Sequence, residues 1–319
     1  MTQPTSSTDQ QTPDFIFQLA APPSAGEGSA GACFAARTSG LFRSKDGGQT
    51  WESAYESLNL RQALLTSAVA LAPDFGHDPT VFAGLNGALL RSFDGGVTWQ
   101  RCRLPSPPPA ISTLAISPQY AEDGIVFAGT NEDGVLKSSD GGRNWVAWNF
   151  GLLDLNVLCL APSPEFGTDE MLFAGVGSGL FRSSNGGRAW KEVALPFDFD
   201  AVLSLAISPD FARDQTVFIG TENNGLWTSS DQGKSWHALV ELGGDEAVNQ
   251  IQFVSTSPTE KEMLILFGGK PLVSKDLGKS WKPWQTKALG GRNVTSILVT
   301  GTTERHTLVG FEDGAISQI

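Results

Sequence analysis

A chain of 319 residues with 40% apolar side chains, 36 Gly and 18 Pro is long enough for one large domain or two ordinary ones, and it is rich in turns. Its 34 acidic and 22 basic residues leave a net charge of −12, which argues against binding to nucleic acid or an anionic membrane surface, since both need clustered Lys and Arg. Three cysteines (Cys33, Cys102, Cys159) without C-x-x-C spacing argue against a disulfide framework and a zinc site, and no run of 18 apolar residues offers a spanning helix.

The chain opens with "MTQPTSSTDQQTPDF", which has neither a basic start nor an apolar run. It does not read as a secretory signal, so a soluble, cytoplasmic protein is expected. Residues 1–14 read as a flexible tail before a single domain over 15–319. Apolar runs then recur at 15–22, 65–72, 111–118, 157–164, 202–209, 248–256 and 294–301. Each opens a unit of four short β-like runs, A to D, bounded by Gly, Asn and Asp; in the fifth unit they are "VLSLAISP", "TVFIGT", "GLWTSS" and "SWHALV". No helical stripe with caps stands out. Between A and B a recurrent aromatic (Phe75, Tyr120, Phe166, Phe211) precedes a recurrent Asp (Asp78, Asp123, Asp169, Asp214), which reads as a plug and a turn cap.

Between C and D an eight-residue box recurs six times. It reads "SKDGGQTW" (44–51), "SFDGGVTW" (92–99), "SSDGGRNW" (138–145), "SSNGGRAW" (183–190), "SSDQGKSW" (229–236) and "SKDLGKSW" (274–281). The closing tryptophans Trp51, Trp99, Trp145, Trp190, Trp236 and Trp281 lie 45 to 48 residues apart. Four antiparallel strands at that period predict an all-β fold, a seven-bladed β-propeller. The seventh unit has no box and no D run, so either residues before Phe15 supply its outer strand or the last blade has three strands. Within a box, Ser44 and Asp46 can accept from backbone N–H groups, Gly48 supplies positive φ, and Trp51 starts strand D with a ring to bury. The same structural duties fall to Asp94, Asp140, Asn185, Asp231 and Asp276. One carboxylate per turn is too few ligands for calcium. No metal or cofactor is expected.

S-x-D-x-G-x-T-W resembles the Asp-box, or BNR repeat, of sialidases, sortilin-type receptors, xyloglucanases and photosystem II assembly-factor propellers. The resemblance covers six of the seven units and implies a propeller, not an activity. It also implies that ligands meet the face carrying the B–C and D–A loops, opposite the boxes. Carboxylates on those loops are Glu132, Asp133, Asp154, Asp198, Asp200, Glu222, Asp245, Glu246 and Asp313. The sialidase pattern of an Arg triad with a Tyr–Glu pair has no match, since Tyr55 and Tyr120 are the only tyrosines. Residues read as inner-strand polar groups, namely Gln18, Ser67, Thr113, Asn156, Ser204, Asn249 and Thr295, offer no general acid or base. Phe150, Phe197 and Phe199 beside Asp154, Asp198 and Asp200 suggest a protein or peptide partner of basic character. The expectation is a monomeric, non-catalytic interaction or scaffold module, with Glu132, Asp133, Glu222 and Asp313 joining that candidate face. The alternative is a glycoside hydrolase using a pair of these loop carboxylates on a glycan.

Overall fold

The computed structural model describes residues 14–22, 31–239, 246–255, 261–300 and 306–319. Seven antiparallel sheets follow one another along the chain, each ordered A-B-C-D from the inside outward. The first six have four strands and the seventh has three. The inner strands are Ile16–Ala20, Thr66–Leu71, Ile111–Ile116, Val157–Pro162, Val202–Ile207, Val248–Ser255 and Val294–Thr300. Each packs on the next and the last returns to the first, closing a ring. The seventh sheet closes on the first directly: the Leu19 backbone N–H donates to Ser296 Oγ at 3.0 Å. The expected contribution of residues 1–13 to the outer edge lies outside the described residues.

Strand B is the core of each blade. Its β-branched and aromatic run is buried on both faces, as in "VFAGL" and "LFAGV". Strand D is only two residues long, as in Lys191–Glu192, and both residues are exposed. Helical turns that were too short for any periodicity occupy the A–B loops: Tyr120–Asp123, Phe166–Asp169 and Phe211–Asp214. Each begins with the recurrent aromatic, which is buried. Each ends on the recurrent Asp; Asp123 accepts from Ser117 Oγ at 2.6 Å and from the Ile125 N–H at 2.8 Å.

The box closes on itself as a hydrogen-bonded knot. Asp46 accepts from Ser44 Oγ (2.7 Å), the Thr50 N–H (2.9 Å) and Thr50 Oγ1 (2.6 Å), while the Gly48 N–H donates to Ser44 Oγ (2.8 Å). Asp94, Asp140, Asp231 and Asp276 repeat the pattern, with Asn144 Nδ2 donating in place of the Thr hydroxyl in the third box. In the fourth, Asn185 Oδ1 still accepts the Ala189 N–H at 2.9 Å, but Ala189 has no side-chain donor to add. The box also fastens neighbours. At Gly142, with φ +84°, a Cβ would collide with the Phe82 ring of the preceding blade, so only glycine fits there. The indole N–H of Trp99 reaches the Ala54 carbonyl of the blade before it, at 2.7 Å.

A second fastener runs through the ring's centre. Every inner strand carries a β-bulge after its first residue. Around it, a side chain bonds the neighbouring blade's backbone at all seven junctions. The donors and acceptors are Gln18 to Val69, Ser67 to Ile111, Ser112 to Val157, Cys159 to Val202, Ser204 to Val248, Gln250 to Ile297 and Ser296 to Leu19. Of the polar residues read on the inner strands, Gln18, Ser67 and Ser204 make these bonds; the other four junctions use Ser112, Cys159, Gln250 and Ser296. The bulge shifts alternation locally, so neighbouring positions exchange roles.

Candidate functional site

Strand direction fixes the two ends of the ring. The Gly47 N–H bonds the Gly31 carbonyl, so the A–B loop and the box share one end. Gly134 of a B–C loop bonds Leu155 of a D–A connection, so those loops share the other end. The candidate carboxylates lie at this second end, and they divide into two groups.

The first group is committed to holding loops. Asp200 is 4% exposed; its two oxygens accept from the Asn223 and Asn224 N–H groups (3.0 and 2.9 Å) and from both Asn side-chain amides (3.0 and 2.8 Å). Burial pushes its carboxyl pKa up, but these hydrogen bonds outweigh that and hold it below the ordinary value. Asp154 accepts from the Asn156 and Ser178 N–H groups at 2.9 and 2.8 Å. Asp14 does the same in the first blade, accepting from the Ser39 N–H (2.9 Å), Ser39 Oγ (2.8 Å), Thr38 Oγ1 (3.0 Å) and Arg37 (3.0 Å). These three acids precede an inner strand and cap the B–C loop of the same blade. They are acceptors already engaged by loop donors, which suits anchoring rather than proton transfer.

The second group is exposed: Glu132, Asp133, Asp198, Glu222 and Glu246, with Asp313 3.8 Å from Arg292. Asp245 lies outside the described residues. The aromatics also separate. Phe199 is 89% exposed, whereas Phe197 packs its ring 5.0 Å from that of Trp227. Phe150 is 80% exposed, but its carbonyl accepts the Trp190 N–H at the start of an outer strand, which places it toward the circumference rather than the ring's mouth.

The large apolar residues of the mouth are ones that sequence reading passed over. The positions just before each inner strand and at its bulge are solvent-accessible at the B–C end. In blades one, two, four and five they hold the large apolar Phe15, Phe17, Leu65, Leu158 and Leu203, beside the smaller or polar Ser67, Ala110, Ser112, Asn156 and Ala201. Phe15 and Phe17 form an edge-on pair with centroids 5.2 Å apart, and they remain 37% and 38% exposed. Blades six and seven contribute Asn249, Asn293 and Thr295 instead. Aligning the repeats on their buried first residue (Ile16, Thr66, Ile111, Val157, Val202) is the signal that finds this set. The mouth therefore sets large apolar side chains of blades one, two, four and five among small and polar ones, with no charged side chain at these positions. Exposed carboxylates stand outside it.

Among the described residues no three His, Cys, Asp or Glu side chains gather as a metal site. Cys33 and Cys102 are buried, and burial pushes their thiols up to about 11, away from thiolate chemistry. Among the described residues no helix is long and apolar enough to cross a membrane.

The family model of the BNR/Asp-box repeat matches residues 42–53, and that of Sortilin-Vps10 (sortilin, neurotensin receptor 3) matches residues 178–301. No curated protein matches the chain. Solved structures resemble it over nearly its whole length. YCF48 bound to D1 peptide has TM-score 0.69 at 18% identity, covering 96% of this chain and 93% of that one. The GH74 xyloglucanase from Xanthomonas campestris has TM-score 0.70 at 16% identity, covering 95% and 51%. The extracellular domain of a B. thetaiotaomicron protein described as a one component system has TM-score 0.72 at 14% identity, covering 97% of this chain but 38% of that one. At such identities the likeness speaks for fold alone. With seven sheets in a ring and the box at six of its hairpins, the chain has the β-propeller fold and resembles the Asp-box (BNR) repeat propellers, whose repeat model it matches over residues 42–53.

Proposed function

We propose that the protein is a non-catalytic interaction module that binds a peptide segment of a partner at the B–C end of its ring. The observation that carries this reading is the partly apolar mouth of Phe15, Phe17, Leu65, Leu158 and Leu203, with Glu132, Asp133, Asp198 and Glu222 exposed on the surrounding loops. Such a surface suits a segment with a few large apolar side chains and Lys or Arg around them. Two further facts support it. Three acids at this end, Asp14, Asp154 and Asp200, are occupied as loop anchors. One similar propeller, YCF48, is described as bound to a peptide.

The test is fluorescence anisotropy with a labelled synthetic peptide of alternating Lys and Leu or Phe, run beside xyloglucan oligosaccharide as substrate. Saturable peptide binding, weakened about tenfold by Phe17→Asp together with Asp198→Lys, is expected; tenfold corresponds to ~1.4 kcal/mol. Release of reducing ends from the oligosaccharide, or indifference of peptide binding to both substitutions, would overturn the reading in favour of the hydrolase alternative or of a different face.

A further inference from the structure

Arg91 sits on strand C of blade two (Ala88–Ser92), buried against blade three. Its guanidinium donates to the Gly141 carbonyl of the third box and lies 3.9 Å from the Phe93 ring centroid. Arg91 forms one wall of a cleft of about 260 Å³ between the two blades, beside the third box. Arg101, Cys102 and Arg103 of blade two and Gly142 and Arg143 of blade three also line it. Four arginines thus share one cleft in a chain whose net charge is −12. Among the described residues none of the four forms an ion pair. The box acid Asp140 is committed to its own knot: it accepts from Ser138 Oγ (2.8 Å), the Arg143 and Asn144 N–H groups (3.0 Å each) and Asn144 Nδ2 (2.6 Å).

Other blades show what this cleft lacks. In blade one the strand-C cation Arg43 stands opposite Glu52 of strand D and bonds it at 2.8 Å. In blade two the same register sets Arg91 opposite the neutral Gln100. In blade four the box cation Arg188 holds both Glu170 carboxylate oxygens at 3.1 Å. Glu170 is the left-handed residue that closes the A–B turn, and its carbonyl receives the Gly186 N–H of the box. In blade three that place belongs to Gly124, whose carbonyl receives the Gly141 N–H, and Arg143 stands where Arg188 does. The space has a similar origin. Trp148 follows strand D of blade three, and its ring centroid lies 4.1 Å from Lys137 Nζ, with the ring beside Gly187. Cys102 follows strand D of blade two. Arg91, Gly142 and Arg143 therefore face an opening where Lys137, Gly187 and Arg188 face an indole.

We propose that this cleft is an oxyanion site for a phosphoryl group, carried by a small molecule or by a phosphorylated side chain. Guanidinium forks match phosphate oxygens in pairs, and a buried cation without a counter-ion is compensated when an anion enters. A phosphoryl group offers three acceptor oxygens and close to two charges, so it engages several forks where a carboxylate engages one. At about 30 Å³ per water in the liquid, the cleft has room for such a group with part of its hydration. Arg91 is already positioned by Phe93 and Gly141, so little side-chain freedom is lost on binding. The site lies beside the boxes, at the other end of the ring from the mouth, and does not rest on the peptide reading above.

The test is calorimetric titration of the full chain, at low ionic strength, with inorganic pyrophosphate and with a phosphoserine peptide otherwise made of Gly and Ala. The unphosphorylated peptide and chloride serve as controls. Saturable binding of a phosphorylated probe is expected, and Arg103→Gln with Arg143→Gln, both exposed, should weaken it at least about tenfold without moving the melting temperature. Gly124→Glu installs the acid that blade four carries and should also cost at least about tenfold. Gly124→Gln places there the residue type of blade five, Gln215 at φ 54°, and should bind within about twofold of the parent. Binding of pyrophosphate alone supports the site with a small molecule as its ligand. Binding of the peptide that disappears without its phosphate supports the site with a modified partner. Absence of saturable binding by both probes overturns the proposal, as does equal binding of the unphosphorylated peptide or indifference to the arginine changes. Equal loss in Gly124→Gln and Gly124→Glu also overturns it, since the shape of the turn and not its charge would then decide binding.

Discussion

The indole N–H of Trp190 crosses a blade boundary to the carbonyl of Trp148, 2.8 Å away, while its ring lies 3% exposed. Strand D of blade four is thereby pinned to strand D of blade three by one side chain. Replacement by Phe removes the bond and keeps most of the ring, for a cost of about 1 kcal/mol. Replacement by Ala also opens a cavity and costs about 3–5 kcal/mol. Urea unfolding midpoints of W190F and W190A check both values.

Acid should loosen the boxes. Thr50 and Ser280 hydroxyls, with backbone N–H groups, hold Asp46 and Asp276 down to about 2. In Asp94 and Asp140 partial burial pulls the other way and is outweighed, leaving them also at about 2. A carboxyl lowered by folding binds fewer protons in the folded state, so its stabilisation is present above the unfolded pKa of about 3.9 and is lost as pH falls toward about 2. Melting temperature should therefore drop between about pH 4 and pH 2. Asp94→Asn should make that drop shallower, since Asn185 already shows that an amide fits the knot without titrating. Thermal scans across that window test this.

Neighbouring acids at the B–C end should behave differently. Asp200→Ala strips a buried acceptor from two Asn residues and costs about 2 kcal/mol of stability. Asp198→Lys, on an exposed loop residue, stays within about 0.5 kcal/mol. Chemical denaturation of the two variants separates an anchor from a surface charge.

Lys137 tests the cross-blade fastening from strand C. Its ammonium, on a side chain almost wholly buried, donates to the Gly186 carbonyl of the next box at 3.0 Å and lies 4.1 Å from the Trp148 ring centroid. Arg91 and Arg182 reach the following boxes at Gly141 and Gln232 in the same manner. Lys137→Arg should thus cost no more than about 0.5 kcal/mol, and Lys137→Met about 1.5–3 kcal/mol. Unfolding free energies of the pair decide it.

The box was legible in sequence because its bonds span four residues: Ser44, Asp46, Gly48 and Thr50 find one another within a single turn. Blade count and strand order followed from it. The acids were legible as a face but not as roles. Asp200 and Asp198 stand two residues apart, and only the fold brings Asn223 and Asn224 to the first and not to the second. The mouth was hidden for a related reason. Phe17 and Leu203 sit beside buried residues in apolar runs, and only the bulge turns them outward.

The box glycines lean backward along the chain at each junction: Gly96 on Phe34, Gly142 on Phe82, Gly187 on Phe127, Gly233 on Phe173. Each blade's strand-B ring is thus covered by the glycine turn of the blade that follows it in sequence. Blade one's own Gly48 has no blade before it in the chain, and its cushion is Leu308 of the seventh blade, so the last junction of the circle is made in the same way as the others.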